Sequence, residues 1–294
     1  MNSQNSTLAL ETQKQSIVEL LDDVDGLVSP PDVCMRLFEL VHSPKAGARE
    51  IAEVVAIDPN LTARLLRMAN SCFYSFSRKI DTISRAVTII GNADLYQLVL
   101  SISAVKTFAN LPNELVKMDT FWRHSVYTGL VARALAVRAH VLHPERLFVS
   151  GLMHDLGSLV LYDQHPDTMR DILILADGDE SVLYQAEQER FHFTHASVAA
   201  HMMEQWQLPE ALIDAIRWHH EPERALDVSV EAHILYLANH LVNESEQGNF
   251  MESPKAGVQP SQAMLDVVGL EEEELVFAFE EATEQFPATL KALI

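Results

Sequence analysis

The sequence predicts an all-α protein built as a two-lobed helical bundle. Most long segments repeat apolar residues at spacings of three and four, as Ile51, Val54 and Val55 do, and this period is typical of an amphipathic helix. The chain has only 10 Gly and 12 Pro among 294 residues, which is few for a loop-rich β fold. The sequence also lacks runs of alternating polar and apolar residues, the pattern of a half-buried strand.

In the first half, a polar start precedes a series of short helices. Residues 1–15 are predicted to be disordered, and residues 16–112 to form the N-terminal helical lobe. Asp58-Pro59 predicts a turn before a helix, since proline suits the first helical turn. Gly91 predicts a helix end. The predicted helices of this lobe cover 49–57, 60–72, 83–90 and 94–109.

The second half is predicted to hold a larger helical domain and a helical tail. Residues 113–243 form the domain, residues 244–262 a polar loop rich in Gly, Pro and Ser, and residues 263–294 an acidic helical segment. The carboxylates of Glu271–Glu274 suit a helix start because they complement its dipole. The predicted helices of the domain cover 121–140, 147–161, 166–176, 180–191, 194–206, 209–219 and 229–243.

The composition argues against several classes of protein. The chain has 21 Lys+Arg and 42 Asp+Glu, hence a formal net charge of −21, which disfavours a dedicated binder of nucleic-acid phosphates. Two cysteines are too few for a disulfide framework and fit a reducing compartment. The start lacks a signal-peptide pattern, and the longest apolar stretches are about half the length of a membrane span. We therefore expect a cytoplasmic protein without a membrane segment.

Histidine is distributed unevenly along the chain. Only His42 lies before residue 120, and the other 12 histidines fall between residues 124 and 240. Several of them share predicted helix faces with apolar residues, where an ionisable group costs several kcal/mol unless it is paired or metal-bound. The candidate site residues are His124, His154, Asp155, His195, His219, His220 and Asn239.

Histidines combined with a carboxylate suit divalent transition metals such as Zn²⁺, Fe²⁺ and Mn²⁺. The pair His154-Asp155 is distinctive because neighbouring residues of a helix diverge by about 100°. Both side chains then bind one ion only when it lies between their directions. The spacing leaves two interpretations open, a metal cluster and a buried network of hydrogen-bonded histidines.

The order of these residues resembles the HD superfamily of metal-dependent phosphohydrolases. The superfamily pattern is His, His-Asp and a final Asp, and here His124, His154-Asp155 and Asn239 (in LANHL) follow the same order. His195 and His219-His220 resemble the additional ligands of the two-metal HD-GYP branch, which cleaves cyclic dinucleotides.

The first half resembles the HDOD family, a branch of the HD superfamily. The resemblance is carried by the segments SPPDVCMRLFELVHSP, IAEVVAIDPNLTARLLRMANSCFYSF and ISRAVTIIGNADLYQLVL. Further on, Glu187, His195, residues 206–209 and His219-His220 match as well. The resemblance implies an all-helical module of bacterial signal transduction, in a family whose members have generally lost phosphohydrolase ligands.

The resemblance implies two metal positions that share Asp155. The first position would use His124, His154, Asp155 and Asn239, and the second would use Asp155, His195, His219 and His220. Asn239 stands where the superfamily has Asp and removes a charge, and Ser158 stands where the cyclic-dinucleotide enzymes have Lys. We therefore expect residual binding of Fe, Mn or Zn and no hydrolysis of cyclic dinucleotides.

Two functions of the histidine-rich site are compared. The favoured one is a stand-alone regulatory module, with a degenerate metal centre, that binds a signalling protein or a small nucleotide ligand. The alternative is a metal-dependent phosphohydrolase of phosphomonoesters or phosphodiesters, in which Asp155 is the catalytic residue that anchors the ions. A homodimer is left open.

The N-terminal lobe offers a third function, nucleic-acid binding through a helix pair with a locally basic stretch. The strongly acidic remainder of the chain disfavours it. Asn70, Ser71 and Tyr74 are the most unusual polar group of this half, and Asn70 is expected to end its helix in a left-handed conformation or to cap a neighbour. The alternative is a groove between the halves that binds a nucleotide or a peptide. The basic residues are Arg64, Arg67, Arg78, Lys79 and Arg85.

Overall fold

The computed structural model describes residues 13–22, 24, 30–43, 46–70, 79–109, 111, 114–225, 229–245 and 260–294. Within these residues all regular secondary structure is helical, which confirms the predicted fold class. The predicted disordered start is too long, because residues 13–15 already belong to a helix. Residues 1–12, Ser71, Tyr74, Arg78 and most of the predicted 244–262 loop lie outside the described residues.

The N-terminal lobe consists of short helices whose apolar faces meet. The predicted face of Ile51, Val54 and Val55 is buried. Gly91, with φ of 94°, separates two of the helices, at the helix end that the sequence predicts. The helices are α1 (13–22), α2 (Asp32–Val41), α3 (Ala48–Val55), α4 (Pro59–Ala69), α5 (Ile83–Ile90) and α6 (Asn92–Phe108).

Helix α4 is fixed at both ends by side chains. At its start, Asp58 Oδ1 accepts hydrogen bonds from the backbone N–H groups of Asn60 (2.9 Å) and Leu61 (3.2 Å). At its end, Asn70 Nδ2 donates to the carbonyls of Leu66 (2.7 Å) and Ile80 (2.6 Å), and its Oδ1 accepts from the Ile80 N–H (2.7 Å). Asn70 has φ of −100° rather than the left-handed conformation, so its role at this helix end is carried by side-chain hydrogen bonds.

The second lobe surrounds the long helix α7, which is buried along most of its length. Helix α8 crosses α7 closely at two glycines. The approach is so close that a Cβ on Gly151 would lie 2.6 Å from the Gly129 Cα. Tyr96 Oη of α6 donates to the Trp206 carbonyl at 3.3 Å and thus joins the two lobes. The helices are α7 (Met118–Arg138), α8 (Glu145–Met153), α9 (Leu156–Gln164), α10 (Pro166–Ala176), α11 (Glu180–Phe191), α12 (His195–Gln205), α13 (Glu210–Arg217) and α14 (Val230–Asn243).

The predicted single helix over 147–161 is wrong. The chain leaves the helix after Met153, passes through His154 and Asp155, and starts α9 at Leu156. Apolar residues continue with helical spacing on both sides of this turn, which is why the pattern hides it. Because of this turn, the side chains of His154 and Asp155 can point to the same site. Neighbouring side chains within one helix diverge by about 100° and share a site only at the side of the helix.

The C-terminal helices α15 (Gln262–Val268) and α16 (Glu272–Leu293) match the predicted acidic segment. Glu271 and Glu274 form a capping box at the start of α16. Phe286 of α16 stacks on Tyr127 of α7 with ring centroids 4.9 Å apart, and Arg64 of α4 donates to the Leu293 carbonyl. Helix α16 therefore contacts both lobes. Its Leu293 carbonyl accepts a hydrogen bond from Arg64, one arginine of the basic stretch. None of the described helices has both the length and the apolar character of a membrane span.

Candidate metal centre

Five predicted site residues meet in the interior of the second lobe. His124 comes from the N-terminal half of α7, His154 and Asp155 from the α8–α9 turn, His195 from the first position of α12, and His219 from the turn after α13. All five are buried, with Asp155 the most exposed at 4%. The predicted convergence of distant histidines on one carboxylate is therefore present, and His220 lies at its edge.

His124, His154 and Asp155 form the first group of possible ligands. Their ligand atoms lie within 4.8 Å of one another. His154 Nε2 lies 3.4 Å from His124 Nε2 and 3.2 Å from Asp155 Oδ2, and His124 Nε2 lies 3.7 Å from the same oxygen. The two spacings from His154 Nε2 fit one ion, because ligand atoms about 2.1 Å from a metal lie about 3.0–3.4 Å apart in octahedral or tetrahedral geometry. The spacing between His124 and Asp155 is slightly longer.

His195, His219 and His220 form the second group, again with ligand atoms within 4.8 Å of one another. His195 Nε2 and His220 Nε2 are 2.9 Å apart. The other carboxylate oxygen of Asp155, Oδ1, lies 3.5 Å from His195 Nε2 and 3.8 Å from His219 Nε2. Asp155 therefore directs one oxygen to each group, as the resemblance to a two-metal site implies.

Three imidazoles are held so that Nε2 faces Asp155. His154 Nδ1 donates to the Gly151 carbonyl at 2.8 Å, and His219 Nδ1 donates to the Ile216 carbonyl at 2.7 Å. His195 Nδ1 lies 2.7 Å from Oε2 of the buried Glu187, which also accepts the His195 backbone N–H at 2.9 Å. Hydrogen bonds at Nδ1 fix the tautomer that leaves Nε2 as a metal ligand.

The position of His195 depends on Gly157. A Cβ on Gly157 would lie 2.0 Å from the His195 carbonyl oxygen and 2.8 Å from the Ala199 backbone nitrogen. Any residue with a Cβ at position 157 would have to move one of the two helices, so only glycine fits there. Gly157 thus allows the start of α9 to lie against the start of α12. Asp155 directly precedes α9, so this contact brings it close to His195.

The ionisation of the cluster follows from burial and mutual charge. Burial alone would raise the pKa of Asp155, but His154, with help from His195 and His124, holds this pKa well below its usual range. Burial would lower the pKa of His195, but the Glu187 carboxylate raises it to about 9. For His219 and His220, burial and the neighbouring imidazoles hold the pKa well below the usual histidine value. Asp155 is therefore a carboxylate, and His219 and His220 are neutral.

Two buried atoms of the cluster test whether a metal fits. Asp155 Oδ1 and His219 Nε2 have no hydrogen-bond partner among the described residues, although buried polar atoms normally have one. Asp155 Oδ1 faces the second group of ligands, and His219 Nε2 belongs to that group. A carboxylate and neutral imidazoles are the donors that Zn²⁺, Fe²⁺ and Mn²⁺ accept. The residues present therefore fit a divalent transition metal.

Asn239 has a different environment from the other predicted ligands. Its Nδ2 donates to Glu180 Oε1 at 2.9 Å, and Glu180 Oε1 lies 3.9 Å from His220 Nε2. Burial and the Asp155 charge raise the pKa of Glu180 to about 7, although 31% of its side chain is exposed.

Sequence reasoning missed Glu180 as a member of the site. It follows the N-cap residue Asp179 and therefore looks like an ordinary acidic residue of a first helical turn. Glu187 was signalled only by the resemblance, because its position on α11 follows no pattern of metal ligands.

The fold and the cluster define the class of the protein, an HD-type helical protein. The model of the HDOD domain matches residues 27–222, which is more than half of the chain. The chain therefore belongs to the HDOD family, as the sequence motifs predict.

One curated relative matches the chain at a distance. An uncharacterized protein from Treponema pallidum (strain Nichols) is 24% identical over 216 residues, which cover 72% of this chain and 41% of that protein. The chain thus spans less than half the length of this relative.

Three solved structures share the fold. An HDOD domain protein of unknown function from Geobacter sulfurreducens has a TM-score of 0.74 and 24% identity, covering 97% of this chain and 99% of that one. A proposed phosphohydrolase from Shewanella amazonensis SB2B has a TM-score of 0.70 and 23% identity, covering 94% of this chain and 98% of that one. A proposed signal transduction protein from Marinobacter aquaeolei VT8 has a TM-score of 0.69 and 22% identity, covering 96% of this chain and 65% of that one. At these identities the likeness shows the fold alone.

Proposed function

We propose that the chain is a bacterial signalling module whose Asp155-centred cluster holds divalent transition metal and which acts by binding a signalling protein or a small nucleotide ligand. The observation that carries the metal site is the pair of buried atoms without hydrogen-bond partners, Asp155 Oδ1 and His219 Nε2, at the junction of two ligand groups. The family and one structural neighbour, which is proposed to act in signal transduction, support the regulatory role.

Regulation is favoured over turnover by two departures from the hydrolase pattern. Ser158, where the cyclic-dinucleotide enzymes have Lys, is buried at 6% exposure and carries no charge. Asn239 uses its amide N–H₂ to hold Glu180, so its side chain brings no charge to the first ligand group. A phosphoryl group at the cluster would therefore lack the cation that the resemblance expects at position 158.

Elemental analysis of protein purified without a chelator or a His-tag tests the metal site. We expect at least one Fe, Mn or Zn ion per chain in the wild type and a large loss in His154→Ala. His201→Ala is the matched control, because His201 is buried on α12 and pairs with Glu204 (3.1 Å) rather than with the cluster. Wild-type protein without metal, or equal metal in all three proteins, would contradict the proposal.

A metal-dependent phosphohydrolase is the second candidate, favoured by Asp155, which directs one oxygen to each ligand group. A bound ion in such a site lowers the pKa of its water and polarises the phosphoryl oxygens. Asp155 would anchor the ions, and Glu187 would keep His195 in its orientation. Turnover of phosphomonoesters or phosphodiesters by Mn²⁺-loaded wild type, lost in Asp155→Ala and kept in His201→Ala, would establish this function. Without turnover, the regulatory role remains the better supported one.

A further inference from the structure

Glu180 is held in a fixed position by two asparagines of α14. Asn239 Nδ2 donates to Oε1 at 2.9 Å, and Asn243 Nδ2 donates to Oε2 at 2.6 Å. The two asparagines are four residues apart and therefore lie on the same face of the helix. A carboxylate that receives one donor on each oxygen cannot rotate freely, and Glu180 Oε1 stays 3.9 Å from His220 Nε2.

The amide of Asn239 suits this position better than the carboxylate that the superfamily pattern has. Asn243 Nδ2 also donates to Asn239 Oδ1 at 3.2 Å, so Asn239 accepts from Asn243 and donates to Glu180. An aspartate at position 239 has no N–H to donate and would face Glu180 with a like charge. An amide at position 239 is therefore compatible with a carboxylate at position 180, whereas a second carboxylate would repel it.

We propose that Glu180 supplies a carboxylate ligand to the ion held by His195, His219 and His220. This inference rests on the proposed metal site. A histidine binds a metal ion as a neutral imidazole. The carboxylate oxygen nearest to the Nε2 atoms of His195 and His219 is Asp155 Oδ1, and the other oxygen of that side chain faces the first group. As a ligand, Glu180 adds a second carboxylate, next to His220.

The chemistry of the ligand predicts which metal depends on it most. Imidazoles alone bind Zn²⁺ well, whereas Mn²⁺ prefers sites that contain carboxylate oxygens. Removal of the Glu180 charge should therefore weaken Mn²⁺ more than Zn²⁺. A residue that only holds the fold together would weaken both metals to the same extent.

The experiment measures Mn²⁺ and Zn²⁺ binding to chelator-stripped protein by titration calorimetry, with Mn²⁺ electron paramagnetic resonance as a second readout. For Glu180→Gln we expect one Mn²⁺ position to weaken by about tenfold or more, and Zn²⁺ by less than about threefold. Glu180→Ala serves the same purpose should the glutamine disturb the fold, since it leaves both asparagines open to water.

Glu221→Gln is the matched control. Glu221 directly follows His220, but its carboxylate accepts from Tyr184 Oη (2.8 Å) and pairs with Arg224 (2.6 Å), so Mn²⁺ binding should not change. Equal losses of both metals in the Glu180 variants, or no loss, would overturn the role of Glu180. Wild-type protein that binds neither metal would instead overturn the proposed metal site itself.

Discussion

Two aspartates occupy the same helical position in the two lobes and use their side chains differently. Asp58 is the N-cap of α4, and its carboxylate accepts two backbone N–H groups of that helix. Asp155 is the N-cap of α9, yet its side chain makes no capping hydrogen bond and lies among four histidines at 3.2–3.8 Å.

This comparison separates residues that serve the fold from residues available to a ligand. Asp58 and Asn70 bond to the backbone of their own lobe, and such bonds contribute to stability. Asp155 forgoes that stabilisation, and among the described residues Asp155 Oδ1 and His219 Nε2 are buried without a hydrogen-bond partner, which is the usual cost of a binding site. Substitutions in the N-terminal lobe should therefore change stability without changing metal content, whereas substitutions around Asp155 should change metal content as well.

Gly157→Ala should have the largest effect on stability. The new Cβ would lie 2.0 Å from the His195 carbonyl, and because two backbones must separate, we expect a loss of more than about 3 kcal/mol. The metal content should fall too, since Asp155 and His195 move apart. Thermal unfolding and elemental analysis would measure both.

The control in the other lobe is Gly47→Ala. There the added Cβ would meet only the end of the Glu50 side chain, at 3.3 Å, so both quantities should stay close to wild type. If the two variants unfolded at similar temperatures, the close contact between α9 and α12 would be refuted.

Glu187→Gln tests the charge that supports His195. Glu187 raises the pKa of His195 from 6.5 to about 9, so the pair contributes stability that is fully present below pH 6.5 and is lost as pH rises through 9. In chelator-treated protein at pH 6 we expect the variant to lose about 2–3 kcal/mol of unfolding free energy, in the range of hydrogen bonds to charged groups. Denaturant titrations at several pH values from 6 to 10 would follow this difference.

The difference between wild type and Glu187→Gln should shrink toward pH 10, where His195 is neutral in both proteins. Glu189→Gln is the matched control, because Glu189 lies two residues away on the exposed face of α11. A constant difference between wild type and Glu187→Gln over the whole pH range would show that shape rather than charge supports His195.

Helical periodicity and residue order predicted much of the molecule, but not its local exceptions. The all-α class and the buried faces follow from apolar spacing, and the candidate ligands were indicated by the histidine distribution and the resemblance. The break at His154-Asp155 was missed because Leu152 and Leu159 keep helical spacing across it. Glu180 was missed because its role comes from Asn239 and Asn243, about sixty residues away, and no local pattern encodes a contact between distant helices.

Asn70→Ala should destabilise the N-terminal lobe without touching the cluster. The asparagine makes three hydrogen bonds, one to Leu66 and two to the backbone of Ile80. Because Ile80 is buried, the loss of these bonds should cost about 2 kcal/mol. Asn60→Ala, an exposed asparagine at the start of the same helix, controls for the loss of an amide. A fall in metal content with Asn70→Ala would contradict the separation of the two lobes.

Asp58→Ala should have the smallest effect, about 1 kcal/mol, as expected for the loss of one helix cap. The hydrogen bond from Lys106 and that from the Leu61 N–H lower the pKa of Asp58 below 3.8. The carboxylate therefore stabilises the fold above pH 3.8, and this contribution is lost as pH falls through the lowered pKa. Asp58→Asn keeps the capping oxygen and removes the charge, so it should lose less stability than Asp58→Ala at pH 7, with unchanged metal content in both. If Asp58→Asn were as unstable as Asp58→Ala, the Lys106 interaction rather than the cap would be what Asp58 contributes, and the contrast with Asp155 would concern charge partners instead of helix capping.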